Sequence, residues 1–249
     1  MSMATNDIDI DIERSNEGRV ARIRLPGGAF GLSQAAGLSR VAEDLVDDRD
    51  VRVVVITASD IDFCSGAADD LDRYEVSPDP ASALARIRVP IVAGVTGKCR
   101  SVGVELLLVA DIRICDLGAT FAIADLHDGQ LPAWGGTQRL PRAVGTARAT
   151  AMLLLGDAID GPAAAEWGLV HEATSDVDAA VESTLEQLAG TGPLALEFAK
   201  EAVHRGSELP LRDGLRLEGD LNHQLAATED RAEGLVAFFE KRPPDFSGR

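Results

Sequence analysis

Residues 90–115 read PIVAGVTGKCRSVGVELLLVADIRIC, and three local patterns follow one another there. The short apolar run Pro90–Val95 is typical of a buried strand, and Gly97–Ala110 predicts a turn that leads into a helix. Ile112–Cys115 predicts another short strand. Because no nucleotide-binding glycine fingerprint accompanies this order, the stretch indicates a layered α/β core rather than a Rossmann unit.

The sequence on either side extends this pattern and then changes to helices. Arg19–Leu25 alternates apolar and basic residues, Leu38–Val46 has helical spacing, Val51–Ile56 is β-branched, and Thr120–Ile123 is a further strand candidate. Six helices are predicted towards the end of the chain, over Thr146–Leu155, Gly161–Gly168, Val177–Ala189, Pro193–Arg205, Pro210–Ala227 and Glu229–Lys241. We therefore predict a core domain over residues 1–190 and a helical region over residues 191–249.

Composition excludes several classes of function. With 24 Lys and Arg against 41 Asp and Glu, the net charge is −17, whereas nucleic-acid binding requires a basic surface. The longest apolar run, Val102–Ala110, is interrupted by Glu105 and is too short to cross a bilayer. The N-terminus lacks the apolar region of a signal peptide, and the three cysteines form no CxxC pair. These features predict a cytoplasmic protein that acts on neither nucleic acid nor membranes.

Glu105 is the first candidate for chemistry. Apolar residues flank it on both sides, and an unpaired carboxylate is costly to bury there. Burial would raise its pKa towards neutrality, where a carboxyl group can act as a general acid or base. The alternative is a glutamate on the solvent side of an amphipathic helix.

Two loops are weaker candidates. Phe63–Asp69 is a small-residue turn after a strand, and such a turn can present backbone N–H groups to an anion. Residues 125–137 combine two carboxylates, an imidazole and three glycines, and by composition they are typical of a surface loop. His127 has no second histidine nearby, so no metal site is predicted.

Several blocks resemble the enoyl-CoA hydratase/isomerase (crotonase) family. They occur in family order and spacing over most of the chain from about Val51 onwards. The blocks are Gly94–Gly97, Gly103–Leu106 and Ala110–Cys115, then Phe121–Asp125, Gly135–Gly145 and Ala164–Val170, and finally Thr228–Gly234 and Ala237–Arg242.

The resemblance implies an α/β fold: a crotonase (ClpP-like) spiral of β-β-α repeats with a C-terminal helical region used for trimerisation. The expected assembly is a homotrimer or a hexamer made of two trimers. The ligand would be an acyl-CoA, with coenzyme A as part of the substrate and no separate cofactor. Lys241 matches a family lysine that reaches the CoA phosphates of a neighbouring subunit, although an exposed cation at a helix end is an equal alternative.

The resemblance also assigns roles to individual residues. Glu105 and Asp125 correspond to two catalytic glutamates that hold one water, and the backbone N–H groups of Ala67 and Val102 to an oxyanion hole. The remaining substrate-binding residues would be Gly66, Ala68, Asp69, Gly103 and Trp134. Two departures stand out: Asp125 is one methylene shorter than glutamate, and Val102 replaces a glycine.

Three hypotheses follow from these assignments. The first is an enoyl-CoA hydratase that adds water to a 2-enoyl thioester through a stabilised enolate. The second keeps the oxyanion hole but isomerises, decarboxylates or hydrolyses a C–C bond of a specialised acyl thioester or diketone, since Asp125, His127 and Trp134 alter the expected pocket. The third is a catalytically weak protein that binds acyl thioesters.

Overall fold

The computed structural model describes residues 11–15 and 19–249. Its strands are β1 (Asp11–Ser15), β2 (Val20–Leu25), β3 (Ala29–Phe30), β4 (Val53–Ala58), β5 (Gly66–Ala67), β6 (Ile91–Val95), β7 (Lys98–Arg100), β8 (Ile112–Asp116), β9 (Thr120–Ala122), β10 (Ile159–Asp160) and β11 (Glu172–Thr174). Its α-helices are α1 (Leu32–Asp47), α2 (Pro80–Leu84), α3 (Val102–Leu107), α4 (Gly136–Val144), α5 (Thr146–Leu155), α6 (Gly161–Trp167), α7 (Val177–Ala189), α8 (Pro193–Gly206), α9 (Leu211–Ala226) and α10 (Glu229–Glu240). A short 3₁₀ helix covers Asp125–Asp128.

The largest sheet has six strands in the order β1-β2-β4-β6-β8-β11. All neighbouring pairs are parallel except β1 with β2. The central strands β4 and β6 are almost wholly buried, as expected of parallel strands covered on both faces. Gly94 in β6 leaves room for α7, because a Cβ there would lie 3.1 Å from side-chain atoms of both Val177 and Val181.

The short strands form a second layer. β7, β9 and β10 make a three-stranded sheet and β3 pairs with β5, while a parallel bridge between Cys64 and Cys99 joins the two groups. Each turn of the chain thus contributes one long strand to the large sheet, one short strand to the second layer and then a helix. This succession is the spiral of β-β-α repeats that the resemblance implied.

The predicted strands and the six predicted C-terminal helices are present, with ends that differ by at most two residues. One prediction needs correction. The segment predicted as a turn before a helix, Gly97–Ala110, contains the short strand β7, and its helix α3 ends at Leu107. Three residues are too few to show an alternating pattern, so β7 could not be predicted.

The contacts between residues in space divide the chain into two compact units. One comprises the residues up to Ile87 together with Ile91–Glu182, and the other Arg88–Pro90 together with Ser183–Arg249. In the second unit α8 and α9 pack together, and Lys200 donates a hydrogen bond of 2.8 Å to the Val89 carbonyl. The division of the chain at residue 190 stays a prediction. No helix in the described ranges is long and apolar enough to span a membrane.

Candidate active site

Glu105 lies in α3, all six residues of which are buried, and it is itself 1% exposed. Its Oε1 accepts hydrogen bonds from the backbone N–H groups of Trp134, at 2.7 Å, and Gly136, at 2.8 Å. Gly136 is required for this approach, since a Cβ there would lie 3.1 Å from the same Oε1. The loop before α4 therefore fixes one oxygen of the glutamate and leaves the other, Oε2, free.

The environment of Glu105 raises its pKa from 4.5 to about 7. Loss of hydration is the largest cause, because burial disfavours the charged form, and the nearby charge of Asp125 adds to it. The N–H groups of Gly136 and Trp134 and the charge of Arg73 act in the opposite direction. A carboxyl group that titrates near pH 7 can both take up and release a proton under physiological conditions.

Asp125 begins the 3₁₀ helix and is 3% exposed. Its Oδ1 lies 2.5 Å from Nη1 of Arg73, and the same nitrogen lies 3.6 Å from Oε2 of Glu105. The structure therefore brings the two predicted carboxylates to one site, on either side of a buried guanidinium. Two carboxylate oxygens, Glu105 Oε2 and Asp125 Oδ2, are buried there without a hydrogen-bond donor among the described residues.

Arg73 is the residue of this site that the sequence did not reveal. It lies in a turn of the loop after β5 and is 6% exposed. Its Nη2 donates a hydrogen bond of 2.7 Å to Oε1 of Gln130, and its carbonyl accepts one of 3.2 Å from the indole Nε1–H of Trp134. A single arginine in a polar loop has no periodicity or spacing that marks it as buried, so only the folded chain identifies it.

Residues 125–137 are partly buried, although their composition is typical of a surface loop. That composition predicted a surface loop, but Asp125 and Trp134 are buried, the latter with 2% exposure. The indole ring meets the ring of Phe30 edge to face, with 6.1 Å between their centroids. The buried carboxylate of this loop, Asp125, is paired with Arg73 from another loop. His127 and Asp128 do lie on the surface, and no cluster of metal-binding side chains occurs in the described part of the chain.

The predicted backbone donors lie on neighbouring elements, since β5 packs beside α3. Ala67 lies in β5, and the flanking residues Ser65 and Ala68 donate backbone hydrogen bonds to the carbonyls of Gly28 and Phe30. Val102 begins α3, and N–H groups in the first turn of a helix have no carbonyl partner within it. The N–H of Val102 is therefore free of pairing within its own helix.

Local backbone geometry explains how this sequence enters α3. Ser101 has a φ of 46°, a conformation that glycine adopts readily and other residues rarely. Gly103 packs against Cys64, where a Cβ would lie only 2.6 Å from the cysteine Cβ. The side chain of Val102 is completely buried, so that residue presents its backbone rather than its side chain.

The other predicted substrate-binding residues are in mixed environments. Gly66, with a φ of 134°, and Ala68 are half-buried, whereas Asp69 is exposed. Lys241 follows α10 in the second unit, where it has a left-handed φ of 55° and an exposed side chain. Their contacts with a ligand stay predictions.

Comparison with known proteins relates this fold and site to one family. A family model described as enoyl-CoA hydratase/isomerase matches residues 19–249. The chain is 36% identical over 220 residues to the 2,3-dehydroadipyl-CoA hydratase of Escherichia coli, covering 83% of this chain and 85% of that protein. It is 34% identical over 229 residues to the mitochondrial methylglutaconyl-CoA hydratase of Rattus norvegicus, covering 85% and 72% respectively.

Solved structures give the same result for the fold. The crystal structure of an enoyl-CoA hydratase from Bacillus anthracis superposes with a TM-score of 0.88 at 28% identity, over 96% of this chain and 99% of that one. A putative enoyl-CoA hydratase from Streptomyces coelicolor also gives 0.88, at 29% identity, over 96% and 94%. The predicted α/β crotonase spiral is thereby confirmed.

Proposed function

Since the chain belongs to the enoyl-CoA hydratase/isomerase family, we propose that it is a hydratase that adds water across the double bond of a 2-enoyl-CoA thioester. The relatives described above are themselves named as hydratases of acyl-CoA substrates. Coenzyme A enters as part of the substrate, and the reaction requires no separate cofactor. Acid–base side chains and a stabilised enolate are sufficient for this chemistry.

One observation carries the proposal. Glu105 Oε2 and Asp125 Oδ2 are both buried and accept no hydrogen bond from the described residues, and the two carboxylates flank the same guanidinium nitrogen. Buried carboxylate oxygens are strongly stabilised by a hydrogen-bond donor, and a water molecule donates two hydrogen bonds. Such a pair can hold a reacting water and exchange its protons.

The reaction balances with these two groups alone. The water oxygen bonds to Cβ of the substrate while a carboxylate takes one of its protons, and the electron pair of the double bond moves towards the thioester oxygen. The resulting enolate returns its charge to Cα, which takes the same proton back from the carboxyl group that accepted it. The product is a 3-hydroxyacyl-CoA, and the carboxyl groups finish in their starting states.

The backbone N–H groups of Ala67 and Val102 would bind the thioester oxygen. Their support is that the two elements, β5 and α3, are neighbours and that the Val102 N–H, in the first turn of α3, has no partner within the helix. Hydrogen-bond donors placed where negative charge develops stabilise the transition state. The loss of one such donor typically raises the activation free energy by about 2.7–4 kcal/mol. Gly66 and Gly103, adjacent to these donors, would leave room for the acyl group.

A substrate panel tests the hydratase proposal. We expect 3-hydroxyacyl products from crotonyl-CoA or from longer 2-enoyl-CoA thioesters, detected by liquid chromatography and mass spectrometry. Turnover of only 3-enoyl thioesters or β-diketones would instead indicate an isomerase or a C–C hydrolase. Binding of acyl-CoA without turnover of any substrate would indicate a binding protein.

Three matched variants test the residues. Glu105→Gln and Asp125→Asn should each lower turnover about 10²–10⁴-fold, the usual contribution of a general acid or base. Asp128→Asn removes an exposed carboxylate from the same 3₁₀ helix as Asp125 and should leave turnover unchanged. Rates close to those of the wild type in both site variants would contradict the two-carboxylate mechanism.

The assembly is a further part of the proposal. In the second unit five large apolar residues are more than half exposed: Val203, Leu211, Leu215, Phe238 and Phe239. Exposed apolar clusters commonly mark protein interfaces, and we infer that these residues mediate a homotrimer. Lys241, next to this surface in sequence, would reach the CoA phosphates of a neighbouring subunit. Sedimentation velocity distinguishes a monomer, a trimer and a pair of trimers.

The cytoplasmic location also remains a prediction. It rests on the cysteines: Cys64, Cys99 and Cys115 are all free thiols in buried positions. Fractionation of the source cells would test it.

A further inference from the structure

The guanidinium of Arg73 is held at both ends within the proposed site. Gln130 accepts a hydrogen bond from Nη2, while Nη1 faces the two carboxylates. The side chains of Arg73, Asp125 and Glu105 are exposed by only 4%, 2% and 0%. One positive charge therefore faces two groups that can each carry a negative charge, with little water to screen them.

The two carboxylates do not share this charge equally. Arg73 Nη1 lies 2.5 Å from Asp125 but 3.6 Å from Glu105, and Oε1 of Glu105 is already bound by two backbone N–H groups. A close opposite charge favours the ionised form of its neighbour, and a second carboxylate nearby disfavours it. The geometry thus pairs Arg73 closely with Asp125 and leaves Oε2 of Glu105 as the more weakly paired oxygen.

We propose that Arg73 is a positioning residue of the reaction: by pairing with Asp125 it makes that aspartate the group that orients the water and leaves Glu105 as the group that exchanges the proton. This inference rests on the proposed hydratase function and deepens it. Asp125 accepts a hydrogen bond from the water and orients it. Glu105 takes the proton as the water oxygen bonds to Cβ, and it returns that proton to Cα when the enolate collapses.

The charges around α3 support this division of roles. The other titratable side chains on the elements packed against α3 and on the 3₁₀ helix are Lys98, Cys99 and Arg100 on β7, Arg139 and Arg142 on α4, and His127 and Asp128 beside Asp125. Lys98 pairs with Asp62, Arg139 donates to the Trp134 carbonyl, and burial keeps the pKa of the Cys99 thiol well above its usual value. Of the described residues, only Arg73 forms an ion pair with Glu105 or Asp125.

The decisive experiment measures how Arg73 variants change the pH at which Glu105 titrates. Activity should rise with pH as Glu105 ionises, so the acidic limb of kcat/KM reports its pKa in the free enzyme. The same titration is followed without substrate by ¹³C NMR of protein labelled at the glutamate carboxyl carbons, with the Glu105→Gln variant providing the assignment. The wild-type midpoint should lie near pH 7.

Arg73→Gln removes the positive charge, and the midpoint should rise by about 1 pH unit or more, as for other charges at this range. Asp125→Asn removes the negative charge, and the NMR midpoint should fall. The double variant, Arg73→Gln with Asp125→Asn, should lie between the two single variants. Arg73→Lys retains the charge and should restore the wild-type midpoint, although a lysine lacks the fork that also reaches Gln130.

Arg113 offers a matched control. It is also largely buried, but its guanidinium donates to the carbonyl groups of Leu169 and Ala110 rather than to a catalytic carboxylate. Arg113→Gln should therefore lower stability without moving the Glu105 midpoint. An Arg73→Gln variant that behaves in the same way would overturn the inference and leave Arg73 a purely structural residue.

The NMR titration of Glu105 and the assay of thioester hydration test this inference and the proposed function separately. If NMR shows the shift but no thioester is hydrated, the hydratase proposal fails, and the assignment of charge by Arg73 stands. If hydration occurs but the midpoint does not move, the inference fails alone. Should Arg73→Gln not fold, the downward shift expected for Asp125→Asn still decides, and an unchanged or higher midpoint there overturns the inference.

Discussion

Glu105→Gln should change how the stability of this protein depends on pH. The substitution keeps the shape of the side chain and a carbonyl oxygen that can accept from the N–H groups of Trp134 and Gly136. It removes the ionisable group whose pKa burial raises from 4.5 to about 7. The wild type alone should therefore carry the energetic penalty of ionising a buried carboxyl group.

The sign and size of the effect follow from proton linkage. Between pH 4.5 and 7 the folded state holds the Glu105 proton more tightly than the unfolded state, so stability falls as pH rises through this window. Each pKa unit corresponds to about 1.4 kcal/mol, so the total loss is about 3 kcal/mol, complete above pH 7. The side chain is fully buried, so solvent screening does not reduce this figure appreciably.

The assay is urea unfolding of wild type and variant at several pH values from 5 to 8, at one protein concentration because assembly also contributes to stability. Most of the loss of about 3 kcal/mol occurs between pH 5 and pH 8. Across this range the free energy of unfolding of the variant should therefore rise by about 2–3 kcal/mol relative to that of the wild type. Glu186→Gln, on the exposed side of α7, should show a much smaller change. A stability difference between wild type and Glu105→Gln that stays constant from pH 5 to 8 would refute the reasoning.

Four other substitutions have outcomes set by packing. Gly103→Ala should lower the free energy of unfolding by about 1–3 kcal/mol, because its Cβ would lie 2.6 Å from that of Cys64. Gly219→Ala, within α9 and open to solvent, should raise it by about 0.5–1 kcal/mol, and both changes are measured by urea unfolding. Trp134→Ala should lower the free energy of unfolding by about 3–5 kcal/mol, because it leaves a large cavity in the core. Phe238→Asp places a charge on the exposed apolar surface of the second unit and should lower the mass found by sedimentation from trimer to monomer; an unchanged mass would exclude this surface as the interface.

Much of the fold could be predicted because its signals are local. The β-branched run of β4, the apolar run of β6 and the helical spacing of α5 each depend on residues close in sequence, and each element formed as predicted. Glu105 could also be found, because a carboxylate inside an apolar helix conflicts with its own surroundings. The short strand β7 could not, since three residues carry too little periodicity.

The amino-acid sequence by itself determined the family, the succession of strands and helices, and the two carboxylates of the site. Tertiary structure alone decided what surrounds them: that Asp125 and Trp134 are buried, and that Arg73 lies between Asp125 and Glu105. The physical reason is that patterning depends on neighbours along the chain, whereas the ionisation of a carboxyl group depends on hydration and on charges within a few ångströms. Folding buries Glu105 and brings those charges together from distant positions in sequence, and burial and charges together set its raised pKa.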